Sequence, residues 1–213
     1  MSRVALIPAR GGSKRLPGKN LRSFAGKPII EYSIDAALSA ASCDRVIVST
    51  DDDEIAAAAL AAGAEVPFIR PADLAGDHTT ILEVVLHLLD TLEPAASELC
   101  IVLATAPFLT GKLLDDGYER LIEAEADAAL GVTTFPFPIW RGFELDETEH
   151  LRMIWPDKMF TRSQDLPEAW HDAGQFCWVR PDAVRDEKAL YLKNMVAVPI
   201  PRHAVQDIDT EED

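Results

Sequence analysis

Val4-Ala5-Leu6-Ile7-Pro8-Ala9-Arg10-Gly11-Gly12-Ser13-Lys14-Arg15-Leu16-Pro17-Gly18-Lys19-Asn20 is the stretch from which the rest of the chain is read. Its first four residues form a short apolar run ended by proline, which predicts a buried strand. A glycine-rich, basic loop follows directly. Loops at the C-terminal ends of strands are where α/β sheets hold ligands. Glycines let backbone N–H groups approach phosphate oxygens, and Arg10, Lys14, Arg15 and Lys19 can neutralise a polyphosphate. The spacing excludes two common phosphate loops. Five residues separate Gly12 from Gly18 and Asn20 follows Lys19, so this is no Walker A loop; no GxGxxG is present either.

Working outward, strand-like and helix-like segments alternate. Pro28 suits a first helical turn, and helical spacing continues over residues 29–41. Residues 45–49 predict a strand. A helix over 52–62 follows, capped by Thr50 or Asp51 and stopped at Gly63. The acids at 51–54 read as capping and dipole residues of that helix. Residues 66–69 predict a second extended piece. Ile81, Val84, Val85, Leu88 and Leu89 give helical periodicity to 79–92. A strand at 99–103, a helix at 111–125 and a strand at 128–134 continue the alternation, which predicts an α/β fold with a mostly parallel sheet flanked by helices. The pattern breaks at 135–170, rich in Pro and Trp, which predicts an inserted hairpin arm. Strands return at 176–179 and 196–200, and a closing helix is expected after the acidic tail. One domain over residues 1–213 accommodates all of this.

The composition narrows the function classes. The chain has 213 residues, 48% of them hydrophobic and 26% charged, enough for a core and unlike a disordered chain. No apolar run is long enough for a membrane span, and the N-terminal one is too short for a signal peptide. Cys43, Cys100 and Cys177 form no CxxC pair and read as buried free thiols in a reducing, cytoplasmic setting. His78, His87, His150 and His203 show no metal-ligand spacing. A net charge of −16 argues against nucleic acid as partner. Yet residues 1–30 hold seven of the 20 cations and none of the 36 acids, so the remainder carries −23. A cationic patch on so acidic a chain fits a bound polyanion such as a nucleoside triphosphate.

The loop closely resembles that of the CMP-sugar synthetases, which activate sialic-acid-like sugars and the related octulosonate. Ser49-Thr50-Asp51-Asp52, Arg70-Pro71, Thr105-Ala106-Pro107 and Asp207-Ile208-Asp209-Thr210-Glu211 resemble the same family, in the same order, over nearly the whole chain. The resemblance implies a Rossmann-like sheet of the nucleotide-diphospho-sugar transferase type. It implies transfer of CMP from CTP to an acidic sugar with release of pyrophosphate. It places Ala9, Arg10, Gly11, Gly12, Ser13, Lys14, Lys19, Asn20, Arg70 and Thr105 around the nucleotide, with Lys19, Arg10 and Asp209 catalytic. Asp207 and Asp209, two apart, share a face if the segment is extended. Two hard carboxylates suit Mg²⁺, and the family's metal-binding aspartates match this pair.

Two segments bear on the sugar. Phe135-Pro136-Phe137-Pro138-Ile139-Trp140-Arg141 and Arg162-Ser163-Gln164-Asp165-Leu166, with His171-Asp172-Ala173-Gly174-Gln175-Phe176, resemble the pseudaminic acid branch more than the N-acetylneuraminate branch. Arg141 or Arg162 could pair a sugar carboxylate. Phe137, Trp140 and Phe176 could line its apolar faces, and Gln164, His171 and Gln175 could read its hydroxyls or amides. Leu103 and Ala104 depart from the family pattern before Thr105. Legionaminate, N-acetylneuraminate and octulosonate synthetases remain alternatives, as does a CTP-binding relative without catalysis. The family pairs through the segment matching the arm, so a homodimer is expected.

Overall fold

The computed structural model describes residues 2–213. A six-stranded sheet forms from β1 (Ser2–Pro8), β4 (Arg45–Ser49), β5 (Ala96–Val102), β6 (Ala128–Thr134), β9 (Trp170–Val179) and β10 (Met195–Pro199), in the order β10-β6-β9-β5-β1-β4. β1 runs parallel to β4 and β5, and β10 runs parallel to β6. β9 is antiparallel to both of its neighbours, β5 and β6. The mostly parallel α/β sheet expected from the alternation is therefore present.

Strand alternation sends residues to two cores. Ala5 and Ile7 of β1, with Val46, Val48, Cys100 and Trp178, face α1 (Ile29–Ser39), α2 (Asp53–Ala61) and α4 (Gly111–Glu123). Val4 and Leu6, with Ile47, Leu99 and Val179, face α3 (Ile81–Thr91) and α5 (Pro181–Glu187). Both faces are covered, which is why these strands read as continuous apolar runs. Trp178, fully buried, donates its indole N–H to the Leu114 carbonyl at 2.9 Å, so its polar handle is satisfied inside the core. Gly111 opens α4 where that helix presses on α1. A Cβ there would stand 2.5 Å from Ser39 Oγ and 2.8 Å from the Ala40 nitrogen.

Several boundaries differ from expectation for local reasons. The cap of α2 is Asp52, just after the expected Thr50 or Asp51, accepting from the N–H groups of Glu54 and Ile55 at 2.9 and 3.1 Å. Residues 66–69 form no strand; only the bridges Ile47↔Glu65 and Thr50↔Ile69 touch the sheet edge. The returning strand is longer than 176–179, because the polar residues at its start are half outside the core. A ribbon of β2 (Ser23–Phe24) and β3 (Lys27–Pro28) and the short α5 were not foreseen; each is too brief for a periodicity to show. The arm contains the expected hairpin, β7 (Phe143–Leu145) with β8 (Leu151–Met153), between short 3-10 turns.

Candidate nucleotide site

At the C-terminal ends of β1, β4 and β5 lies a cleft of about 510 Å³. Arg10, Ser13, Lys14, Arg15, Lys19 and Asn20 line it from the loop, Arg70, Ala104 and Thr105 from beyond the sheet, and Asp207 and Asp209 from the tail. The distances along the chain are large, so the fold assembles what the sequence only suggested.

The loop is held from within. The Ala9 N–H donates to the Ser49 carbonyl at 2.9 Å, extending the β1–β4 pairing. Asn20 is buried, and its side-chain amide donates to the Arg10 carbonyl at 3.0 Å, tying the loop's ends together. Gly18, at φ +65°, turns the chain before Lys19. Leu16 packs against Ile29 and Ile208 and anchors the loop's centre. The two adjacent glycines divide their work. Gly11 donates its N–H to Asp51 Oδ1 at 3.1 Å, and a Cβ on it would meet Asp52 Oδ2 at 2.4 Å. Its small size is thus required by the start of α2. Gly12 has open space around it and is the one left free for a close-approaching ligand.

The tail is extended beside the loop. Ile208 turns inward to Leu16, so Asp207 and Asp209 turn the other way, and both line the cleft as their spacing predicted. Asp209 Oδ1 accepts from Lys19 Nζ at 3.1 Å, and its Oδ2 pairs with Arg15 Nη1 at 2.8 Å. Lys19 also donates to the Ile208 carbonyl at 2.8 Å. Burial, and then the neighbouring Asp209, raise the Asp207 carboxyl above the ordinary aspartate value. A pair of carboxylates that repel each other in one cleft fits a divalent cation. Among the described residues no cluster of three or more metal-ligating side chains exists. A cation here would therefore complete its shell with water and phosphate oxygens, which is the habit of Mg²⁺.

Asp77, which no sequence motif marks, is the other counter-ion. Its Oδ1 pairs with Arg10 Nη1 at 3.1 Å and its Oδ2 with Lys14 Nζ. The hydrogen bond from Lys14 holds its carboxyl below the ordinary value. The signal beside it was legible: Thr80-x-x-Glu83 before an apolar run is a capping box, and both of its hydrogen bonds form. That box fixes the N-terminus of α3, and with it Thr79 and Thr80, at the cleft.

Arg70 is 5% exposed and makes no ion pair among the described residues. It donates to Ser49 Oγ at 3.1 Å and to the Ser49 carbonyl, and burial lowers its pKa. A buried guanidinium without a carboxylate, on the wall of a cleft, calls for an acceptor on a ligand. Thr105 is also buried; Ser33 orders the turn before it by donating to the Leu103 carbonyl at 2.7 Å.

The residues expected at a sugar are not brought together. Arg141 donates to the carbonyls of Met159, at 2.8 Å, and Thr161, so it cross-links the arm. Arg162 pairs with Asp165 at 2.6 Å, and Gln164 beside it is exposed. His171 packs on Phe135, ring centroids 4.6 Å apart. Trp140 donates to the Pro167 carbonyl at 2.8 Å and Phe137 is exposed. An arm with no core of its own uses these polar groups to hold itself together. Gln175 and Phe176 do border a second cavity, of about 380 Å³, which shares Thr80, Ile81 and Leu103 with the cleft. The Phe176 ring, however, packs on Gly117 and Gly131 in the core. Cys43, Cys100 and Cys177 are free, and burial raises Cys43 to about 11 and Cys177 to about 12, so neither supplies a thiolate at neutral pH.

Comparison with known proteins agrees with this geometry. The profile of a family described as cytidylyltransferase matches residues 4–205. A pseudaminic acid cytidylyltransferase of Campylobacter jejuni subsp. jejuni serotype O:2 is 38% identical over all of this chain and 93% of its own length. A CMP-N,N'-diacetyllegionaminic acid synthase of Legionella pneumophila is 51% identical, over 40% of this chain and 37% of its own. The solved structure of a CMP:2-keto-3-deoxy-manno-octonic acid synthetase complexed with CTP superposes with a TM-score of 0.75 at 18% identity, covering all of this chain and 95% of that one, and so shares the fold. With a phosphate-ready cleft on such a sheet and a family match over nearly its whole length, this chain belongs to the cytidylyltransferase family of nucleotidyltransferases.

Proposed function

We propose that this chain transfers CMP from CTP to a nine-carbon acidic sugar, pseudaminic acid, and releases pyrophosphate. The observation that carries the reading is the convergence of Arg10, Lys14, Arg15 and Lys19 with Asp207 and Asp209 on one cleft. Full-length identity of 38% to a pseudaminic acid cytidylyltransferase supports the choice of sugar.

The reaction is an in-line displacement at the α-phosphorus by a sugar hydroxyl, and it needs positioning and charge stabilisation more than covalent help. Arg10 and Lys14, which share Asp77 as counter-ion, release it to bind the outgoing β- and γ-phosphates. Lys19, only one-fifth exposed, stabilises charge on the α-phosphate. Gly12 leaves the backbone open to phosphate, while Arg70 and Thr105 receive the nucleoside. Asp207 and Asp209 would hold Mg²⁺, which would draw charge from the phosphates when bound. No helix among the described residues is long and apolar enough to cross a membrane, and we place the enzyme in the cytoplasm. The exposed arm supports a homodimer.

The test is pyrophosphate release from CTP with Mg²⁺ and pseudaminic, legionaminic and N-acetylneuraminic acids in parallel, with EDTA as control. Release with pseudaminic acid above the others, abolished by EDTA, is the expected result. Preference for another acid would overturn the sugar, and CTP binding without release with any acid would overturn the catalysis.

A further inference from the structure

The chain leaves the sheet after Ile200, whose N–H donates to the Val132 carbonyl at 2.8 Å, and is next anchored at Ile208, which packs with Leu16. Residues 201–207 bridge the two anchors and carry Asp207 into the cleft. Within them the N–H groups of Ala204 and Val205 bond to the carbonyls of Pro201 and Arg202, at 2.9 and 3.2 Å, which shapes a local turn without fixing its place. Ala204 and Val205 rest on the core, but apolar contact is non-directional and sets no register. Among the described residues one hydrogen bond reaches this segment from the body of the protein. The side-chain amide of Gln175 donates to the Ala204 carbonyl at 2.5 Å. Gln175 is itself fixed: it is fully buried in β9, and its backbone carbonyl accepts from the Leu103 N–H at 2.9 Å. Gly174, beside it, lies against the aspartate, since a Cβ there would stand 3.8 Å from Asp207 Cγ. Two adjacent residues of β9 thus meet the tail at Ala204 and at Asp207.

The two carboxylates of the cleft differ in their support. Asp209 is held by Lys19 and Arg15, whereas no salt bridge among the described residues reaches Asp207, so its place depends on its backbone. The glutamine is also a costly choice for the fold alone. Its amide oxygen is buried without a partner, and an unpaired buried acceptor destabilises. A methionine of similar length would avoid that cost; what it could not supply is the donor to the tail. We infer that Gln175 is a positioning residue for the divalent cation: by holding the Ala204 carbonyl it sets the path of residues 201–207, and so the place of Asp207 in the cleft. The inference rests on the assignment of Asp207 and Asp209 to the cation in the proposed reaction and extends it to a residue outside the ligand pair. Groups that orient metal ligands without touching the metal commonly change its affinity by about 10- to 100-fold.

The experiment compares the full chain with Gln175→Met and Asp207→Ala, using Mn²⁺ as the probe. Water-proton relaxation of Mn²⁺ with CTP, which rises when the ion becomes protein-bound, gives its affinity without turnover. Gln175→Met is expected to weaken Mn²⁺ by about tenfold, the low end for a group that acts through a ligand's backbone, while CTP binding in EDTA stays within about twofold of the unaltered chain. Hydrogen exchange of a peptide covering residues 203–209 is expected to quicken by about tenfold or more, with no fall in melting temperature. In pyrophosphate release, the Mg²⁺ concentration for half-maximal rate should rise by about tenfold and the rate at saturating Mg²⁺ recover to within about threefold. Gln175→Asn, which keeps the amide on a shorter side chain, serves in its place if the methionine variant fails to fold. Unchanged Mn²⁺ affinity and tail exchange, with Asp207→Ala losing the ion, would overturn the inference and leave the reaction standing. So would a loss of rate that no Mg²⁺ concentration restores. Mn²⁺ binding that survives Asp207→Ala would overturn the metal assignment, and the inference with it.

Discussion

The phosphate loop, residues 9–20, and the arm, residues 135–170, are both surface segments without regular core, yet they are finished in opposite ways. Every cation of the loop that lines the cleft has an acid from elsewhere in the chain beside it: Asp77 for Arg10 and Lys14, Asp209 for Arg15 and Lys19. The loop is closed electrically until an anion competes. The arm instead closes its polar groups on itself, through Arg141, Arg152 with Glu144, and Arg162 with Asp165, and leaves its apolar ones outside. Phe160 is 94% exposed, and Phe137, Leu145 and Leu151 are mostly so. Apolar exposure on this scale fits the proposed contact with a second copy. One region is finished for a small charged ligand, while the other presents a broad apolar surface.

The largest expected effect breaks the loop. Lys19→Ala removes the donor nearest the tail carboxylates and should lower kcat by about 10²–10³, the usual loss for one charge-stabilising donor, as measured by pyrophosphate release at saturating CTP. Because Lys19 belongs to neither apolar core, the melting temperature should move little; a large stability loss with near-normal turnover would reverse the assignment. The next effect breaks the arm. Phe160→Ser should weaken self-association by about 30-fold, the effect of losing a contact worth ~2 kcal/mol, in sedimentation equilibrium, with the monomer's stability within about 0.5 kcal/mol. An unaltered chain that is monomeric at every concentration would end the dimer proposal.

The smallest effect calibrates both, using an ion pair that serves neither ligand nor partner. Arg3 clasps Asp44 through its backbone N–H at 2.8 Å and its side chain at 2.6 Å, and holds that carboxyl down at about 2 from an ordinary 3.8. A depressed carboxyl stabilises the fold above its unfolded value and loses that contribution as pH falls through the folded one. Asp44→Asn should therefore cost about 0.5–1 kcal/mol at neutral pH, discounted for solvent screening. The gap between the variant and the unaltered chain should close between about pH 4 and pH 2, followed by denaturant titration across that range. A gap that persists at pH 2 would mean that the asparagine disturbs something besides charge.

How much could be read in advance follows the same division. The loop was legible because its chemistry is local: a strand, paired glycines and four cations within a dozen residues need no knowledge of what lies opposite. The aspartates of the tail were legible because a spacing of two has one meaning in an extended chain, and Ile208 between them supplies the inward anchor that enforces it. Asp77 was not legible, because nothing in residues 72–78 says that they cross to the cations of the loop; only the capping box nearby fixes where α3 begins. Arg70 was marked for the nucleotide, but its burial without a carboxylate is a property of the assembled sheet. The arm's arginines and aromatics are of the types that suit a sugar; within the chain Arg141 and Trp140 donate to carbonyls of the arm and Arg162 pairs with Asp165, partners that no residue type announces. β9 was underestimated for a similar reason. Its first residues pair regularly with β6, but the strand bulges between Asp172 and Cys177, where the register shifts between Leu130 and Val132, so the alternation of 176–179 does not extend back to Trp170.

The arm leaves the sheet at Thr134 and re-enters at Trp170, and these two residues are themselves paired across β6 and β9. Its ends are therefore held at one strand spacing whatever lies between them. The entropy of closing a loop already pinned in this way grows only with the logarithm of its length, about 0.6 kcal/mol for each doubling. Segments can be lengthened, trimmed or exchanged at this seam with little consequence for the sheet, which makes it the natural place to graft a different contacting surface onto an unchanged nucleotidyl-transfer core.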